Sequence, residues 1–286
     1  MSTLISDESP PMKAMILAAG LGTRLRPLTD TRPKALVEIA GRTLLEITLT
    51  RLRTFGISEV IINVHHFADM VTDYLKSNKN FGMRIEISRE EILLDTGGGL
   101  KKAAWFLLGN STPANPSRTD SNQMDEPFLL HNVDVISTID FARMLQFHKE
   151  HHALATLAVQ ARETSRPLLF DNKLQLRGRR SSGTPVPSGA EGVIPDCASQ
   201  TTATPNHART TSAPEESLQS LAFSGIHVIS PRLLPKLTEE GVFSIIPAYL
   251  RLAAQGQNIL AFRADDYYWR DLGRPADLAQ AALDMQ

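Results

Sequence analysis

Short apolar runs alternate along this chain with longer segments in which apolar residues recur every three or four positions. KAMILA at 13–18, EVIINV at 59–64, RIEIS at 84–88 and PFLLH at 127–131 are each too short for a stable helix and read as strands. ALATLAVQA at 153–161 is a longer apolar strand. Between the first two, residues 43–55 place Leu45, Leu49, Leu52 and Phe55 on one helical face and stop at Gly56. Residues 68–76, 100–108 and 138–152 read as further helices. Strand and helix in regular succession predict an α/β fold: a doubly wound, mostly parallel, Rossmann-like sheet with helices on both faces. Such sheets bind ligands at the carboxyl ends of their strands, so chemistry is sought there.

Two stretches and one end interrupt the pattern. Residues 1–11 are polar, lack the basic and apolar regions of a signal peptide, and read as a disordered tail, with Met12 an alternative start. Residues 109–127 hold no Leu, Ile, Val or aromatic side chain. In 181–217, 20 of 37 residues are Ser, Thr, Pro or Gly, too few apolar groups to offset ordering entropy. Both read as insertions, the second as a mobile surface loop, in one domain spanning 12–286.

Composition narrows the partners. Thirty basic against 31 acidic residues give a net charge of −1, which argues against a basic nucleic-acid surface. No run approaches the ~20 apolar residues of a membrane span. A single cysteine, Cys197, excludes an internal disulfide and a cysteine zinc site, so a reducing, cytoplasmic setting is expected.

The loop after the first strand carries the densest chemistry: Leu17-Ala18-Ala19-Gly20-Leu21-Gly22-Thr23-Arg24-Leu25-Arg26-Pro27-Leu28-Thr29, then Pro33-Lys34. Gly20 and Gly22 let the backbone approach a ligand and turn N–H groups toward anionic oxygens. Arg24 adds a forked, permanently charged donor, and Lys34 a mobile point charge. Gly-x-Gly alone is a weak signal. The dinucleotide fingerprint fails at Leu25, and no Gly-Lys-Ser/Thr tripeptide supplies a Walker A loop.

A second cluster, Asp95-Thr96-Gly97-Gly98-Gly99, precedes the helix at 100–108 and offers a surface bare of side chains on which a base could lie. Its Asp-Thr-Gly has no second copy, which excludes an aspartic protease. Asp134 ends the fourth strand and Asp271 lies in a strand-to-helix turn; carboxylates so placed suit Mg2+, or serve as turn residues. Gly225 interrupts a strand at 221–231, which marks a bulge or a close ligand approach. His148 and His152 share a helix face without a third ligand and read as solvated, and His65-His66 as a loop pair.

The whole string from Gly20 to Lys34 resembles the N-terminal motif of the sugar-1-phosphate nucleotidyltransferases, with every motif position filled. The likeness is nearest to short members, the mannose-1-phosphate guanylyltransferase-like and N-acetylmuramate-1-phosphate uridylyltransferase kinds, without a C-terminal β-helix. It implies a GT-A-like nucleotidyltransferase fold and a Mg2+-dependent enzyme joining UTP or GTP to a sugar 1-phosphate, acting as a monomer or homodimer. Leu17, Ala18, Ala19, Gly20, Gly22, Thr23 and Arg24 would wrap the triphosphate, Gly97 and Gly98 would neighbour the base, and Asp95 could help select it. Lys34 would face the α-phosphate, and Asp134 and Asp271 would hold the metal. Val133 stands where the family has glycine before the first aspartate. Asn132, Ser224 and Gly225 would line the sugar pocket, with Arg166, ahead of Lys173, as the basic group on the sugar phosphate. The alternatives are a GT-A-type glycosyltransferase, with Asn132-Val133-Asp134 as a degenerate Asp-x-Asp, and a silent sugar-nucleotide-binding paralogue.

Overall fold

A computed structural model describes residues 12–109, 126–180 and 218–285. β1 (Lys13–Leu17) leads through the glycine loop to a small hairpin, β2 (Glu38–Ile39) and β3 (Arg42–Thr43), and into α1 (Leu44–Thr54). β4 (Glu59–Val64), α2 (Ala68–Ser77), β5 (Arg84–Arg89), α3 (Asp95–Lys102), α4 (Ala104–Leu107) and β6 (Phe128–Asn132) follow. Next come β7 (Val135–Ser137), α5 (Phe141–Glu150), β8 (Ala155–Gln160), β9 (Leu168–Phe170) and β10 (Leu176–Arg179). β11 (Gln219–Ile229), α6 (Ile245–Ala254), β12 (Ile259–Arg263), β13 (Trp269–Asp271) and α7 (Pro275–Asp284) complete the described chain.

The main sheet runs β10-β9-β11-β6-β1-β4-β5, with β8 beside β11 and β12 beside β8. β6, β1, β4 and β5 are parallel, and β11 lies antiparallel between β6 and β8. Strand side chains alternate between faces, which explains the apolar runs. Ala14, Ile16, Val60 and Ile62 enter one core with α1, α2, α5 and α7, while Met15 and Ile61 enter the other with α3, α4 and α6. A large apolar side chain so enclosed contributes roughly 1.5–3 kcal/mol by burial. The mostly parallel, helix-covered architecture is the one the sequence predicts.

Local signals explain the boundaries. The Thr43 hydroxyl accepts from the Glu46 N–H at 3.0 Å and starts α1. Asp140 does the same for α5, accepting from the Arg143 N–H at 3.0 Å, so that helix covers a shorter span than 138–152. The helix expected at 100–108 is corrected more deeply. It begins at Asp95, takes in Gly97 to Gly99, and breaks at Ala103 into α3 and α4. Glycine disfavours a helix intrinsically, but tertiary packing overrides that preference here. His148 is a second correction: it is buried against the sheet, its Nδ1 2.9 Å from Thr156 Oγ1, while His152 remains exposed. The expectations for residues 1–11, 181–217 and most of 109–127 lie outside the described residues.

Candidate active site

The glycine loop is pinned at both ends. The Val133 N–H donates to the Leu17 carbonyl at 3.1 Å, and the Ala18 N–H to Asn63 Oδ1 at 2.7 Å. Gly22 has φ 64°, and a Cβ there would stand 2.9 Å from Thr29 Cγ2 and 3.2 Å from Lys34 Cβ, so conformation and space both require glycine. Thr29 Oγ1 donates back to the Gly22 carbonyl at 2.9 Å. Leu25 is buried and anchors the turn Thr23–Leu25, leaving Gly20, Thr23 and Arg24 exposed. Lys34 starts the next turn with its side chain only 9% exposed, and its Nζ pairs with the Asp134 carboxylate. Burial of a lysine is costly without such a partner.

Asp134 occupies the turn between β6 and β7. The short pairing of β13 with β7 sets Asp271 opposite Val135, and the Leu272 N–H donates to the Asp134 carbonyl at 2.8 Å. Two carboxylates far apart in sequence thus meet at the end of the sheet. Burial and the neighbouring Asp134 charge raise the Asp271 pKa above its ordinary value, while Lys34 and Arg24 act against the rise. A Cβ at Gly273 would lie 2.5 Å from Asp271 Oδ1 and 2.6 Å from Arg24 Nη2, so the Arg24 guanidinium rests beside Asp271 over a bare backbone. Among the described residues no three His, Cys, Asp or Glu side chains form a metal cluster. Two hard oxygen donors with mutual repulsion are a donor set that would suit Mg2+, a cation held by few protein carboxylates.

A cavity of about 350 Å³ opens beside these groups. Its lining comes from the glycine loop (Leu17, Ala18, Ala19, Gly20) with Lys34, from Asn132, Val133 and Asp134, and from Asn63, Leu93, Asp95, Thr96 and Val242. Gly97 and Gly98 are not in the lining. Side chains there would overlap the Phe243 ring and the Gly241 carbonyl, and the Gly97 N–H donates to the Phe243 carbonyl at 2.9 Å. The expected bare platform is therefore covered by protein, because the glycines serve the packing of α3 against residues 241–243. Asp95 and Thr96 face the cavity in their place.

The other side of the carboxylate pair is built on β11. Gly225 has φ 73° at a register shift between β11 and β8, and a Cβ there would stand 2.9 Å from Asn132 Nδ2. Ser224 is buried, and its carbonyl accepts from Trp269 Nε1 at 2.7 Å. Arg166 lies exposed and outside the cavity lining. Arg162, just past the carboxyl end of β8, is likewise outside the cavity lining, and sequence reasoning did not consider it. Its guanidinium stacks 3.6 Å from the centre of the Trp269 ring and donates to the Phe223 carbonyl at 2.6 Å. Burial lowers the Arg162 pKa, and the Asp271 charge opposes that shift. The strand-end rule was the available signal. Asn63 was also missed, although an amide inside EVIINV was a visible exception.

Residues 13–170 match the family described as Nucleotidyl transferase. The chain belongs to this family. It is a nucleotidyltransferase with the loop and carboxylates described above. It is 33% identical over 280 residues to an N-acetylmuramate alpha-1-phosphate uridylyltransferase of Caulobacter vibrioides, covering 95% of this chain and 96% of that one. A mannose-1-phosphate guanylyltransferase catalytic subunit beta of Xenopus tropicalis is 29% identical over 267 residues, 93% of this transferase but 62% of the relative. Among solved structures, a putative glucose-1-phosphate thymidylyltransferase from Bacillus anthracis superposes with a TM-score of 0.68 at 16% identity, over 95% of this chain and 94% of that one, and shares the fold. No helix among the transferase's described residues is long and apolar enough to cross a membrane.

Proposed function

We propose that the chain is a Mg2+-dependent sugar-1-phosphate nucleotidyltransferase that converts a nucleoside triphosphate and a sugar 1-phosphate into an NDP-sugar and pyrophosphate. The observation that carries this reading is the convergence of Lys34, Asp134 and Asp271 beside the glycine loop at one end of the sheet. UTP with N-acetylmuramate 1-phosphate is the leading substrate pair, supported by the match over nearly the whole of both chains to a uridylyltransferase. GTP with mannose 1-phosphate is the second reading, supported by the guanylyltransferase likeness. The work is cytoplasmic, by a monomer or homodimer, with neither nucleic acid nor membrane as partner.

A phosphate oxygen of the sugar 1-phosphate attacks the α-phosphorus in line. The new P–O bond forms as the bond to the α–β bridging oxygen breaks, and the electron pair leaves with pyrophosphate. No side chain need form a covalent bond or take a proton. Backbone N–H groups of residues 18–22 and the Arg24 guanidinium hold the triphosphate, and Lys34 offsets charge at the α-phosphate. Arg162, held against Trp269, serves the sugar phosphate in place of Arg166. Asp134 and Asp271 would hold Mg2+, which supplies charge neutralisation on the phosphates. The test is pyrophosphate release from four NTPs against N-acetylmuramate, mannose, glucose, N-acetylglucosamine and heptose 1-phosphates. Release with UTP and N-acetylmuramate 1-phosphate above all other pairs is expected. Release with no pair, or sugar transfer from an NDP-sugar, overturns the reading.

A further inference from the structure

Three strand ends meet at the cavity, joined by two buried polar side chains to which phosphoryl transfer assigns no role: Asn63, which lines the cavity, and Glu90. Asn63 lies near the end of β4, in register with Leu17 of β1 and Ser88 of β5. Its Oδ1 accepts from the Ala18 N–H at 2.7 Å, and its Nδ2 donates to Glu90 Oε1 at 2.8 Å. Glu90 Oε2 accepts from the Leu94 N–H at 2.9 Å. Asn63 is 3% exposed and Glu90 2%. α3 closes directly on the pair, since a Cβ at Gly99 would stand 2.8 Å from both Asn63 Nδ2 and Glu90 Oε1.

The chain of bonds runs from the first residues of the glycine loop to the residue before Asp95 and Thr96. Both segments line the cavity. Burying an amide and a carboxylate costs free energy that apolar side chains would avoid, and their bonds recover it only when the geometry is held. We propose that Asn63 and Glu90 are positioning residues that fix the separation of the polyphosphate loop from the base wall, and so set nucleotide affinity. The proposal rests on the cavity being the nucleotide site.

The donor and acceptor pattern supplies a specific test. Asn63→Asp sets carboxylate against carboxylate, and Glu90→Gln sets amide against amide. The double exchange restores every bond: the new carboxylate at 63 accepts from the Ala18 N–H and from the new amide at 90, whose oxygen accepts from the Leu94 N–H. Each single variant is expected to raise the UTP KM about tenfold or more, because a buried polar group loses its partner. The KM for the sugar phosphate stays unchanged, and the double variant returns the UTP KM toward wild type. Single variants at wild-type KM overturn the proposal, as does parallel movement of both KM values. Should the single variants not fold, the double decides: a wild-type UTP KM supports the relay, and a raised one overturns it. Lys34→Met is run alongside. Full activity in that variant overturns the cavity assignment itself, an outcome separate from failure of the relay alone.

Discussion

Acidification should unfold this protein well above the pH at which its carboxylates take up protons. Three histidines are enclosed in the sheet and its flanking helix: His131 beside the Phe141 ring, His148 on Thr156, and His227 on the Tyr249 hydroxyl. Burial pushes His131 and His148 down from 6.5 to about 4, and His227 to about 3. A depressed folded pKa means that the unfolded chain binds the proton first. Stability is therefore full above pH 6.5 and falls as the pH drops toward 4. At 1.36 kcal/mol per pKa unit, each group costs about 2 kcal/mol by pH 5, and the three together about 6 kcal/mol. That is comparable to the whole stability of an ordinary domain, ~5–15 kcal/mol. Asp171, held down against burial by the Gln175 N–H and Arg177, and Glu239, held down by Arg251, add to the loss only at lower pH, and Asp271 acts with the opposite sign. Urea unfolding followed by circular dichroism at pH 7, 6 and 5 measures the effect. His148→Gln keeps a partner for Thr156 and removes one proton site, so about a third of the slope should disappear. A stability that does not change between pH 7 and 5 would refute the reasoning, and so would a His148→Gln slope equal to wild type.

Asp134→Ala and Asp271→Ala should each lower pyrophosphate release about a hundredfold or more with an unchanged circular dichroism spectrum; full activity in both removes the metal assignment. Chelation by EDTA should stop turnover, and added Mg2+ should restore it. Arg162→Ala should raise the sugar-phosphate KM about tenfold, as loss of a charge-assisted bond does, while Arg166→Ala leaves it at wild type; the reverse order returns the role to Arg166. Gly97→Ala places a methyl group in the Phe243 ring and should cost about 1–3 kcal/mol in urea unfolding.

β1, β4, β6 and β8 were legible because strands buried on both faces leave continuous apolar runs, and β5 by its alternation, whereas the short β2, β3 and β7 carried no such signal. The loop at 20–34 and the two aspartates were legible because charge and glycine stood at strand ends, where this architecture puts ligands. What stayed hidden depended on tertiary contact. Gly97 to Gly99 look like a flexible turn until Phe243 and Gly241 arrive from the far end of the chain to pack on them. His148 looks solvated until Thr156 offers a partner. Arg162 is set apart from Arg166 only by tertiary contact, with the Trp269 ring and the Phe223 carbonyl. β13 is three residues long and carries no periodicity of its own, yet its pairing with β7 completes the carboxylate pair.

The position of β11 bears on how the chain is made. It fills the gap between β9 and β6, but it follows both in sequence by a long interval. During synthesis at ~5–20 residues per second, β6 must wait several seconds with one edge bare. An unpaired strand edge is a template for association with other chains. The nascent protein is thus most exposed to aggregation between the emergence of residue 132 and that of residue 229. Asp271 emerges later still, so the carboxylate pair cannot form before residue 271 is made and β13 has closed on β7.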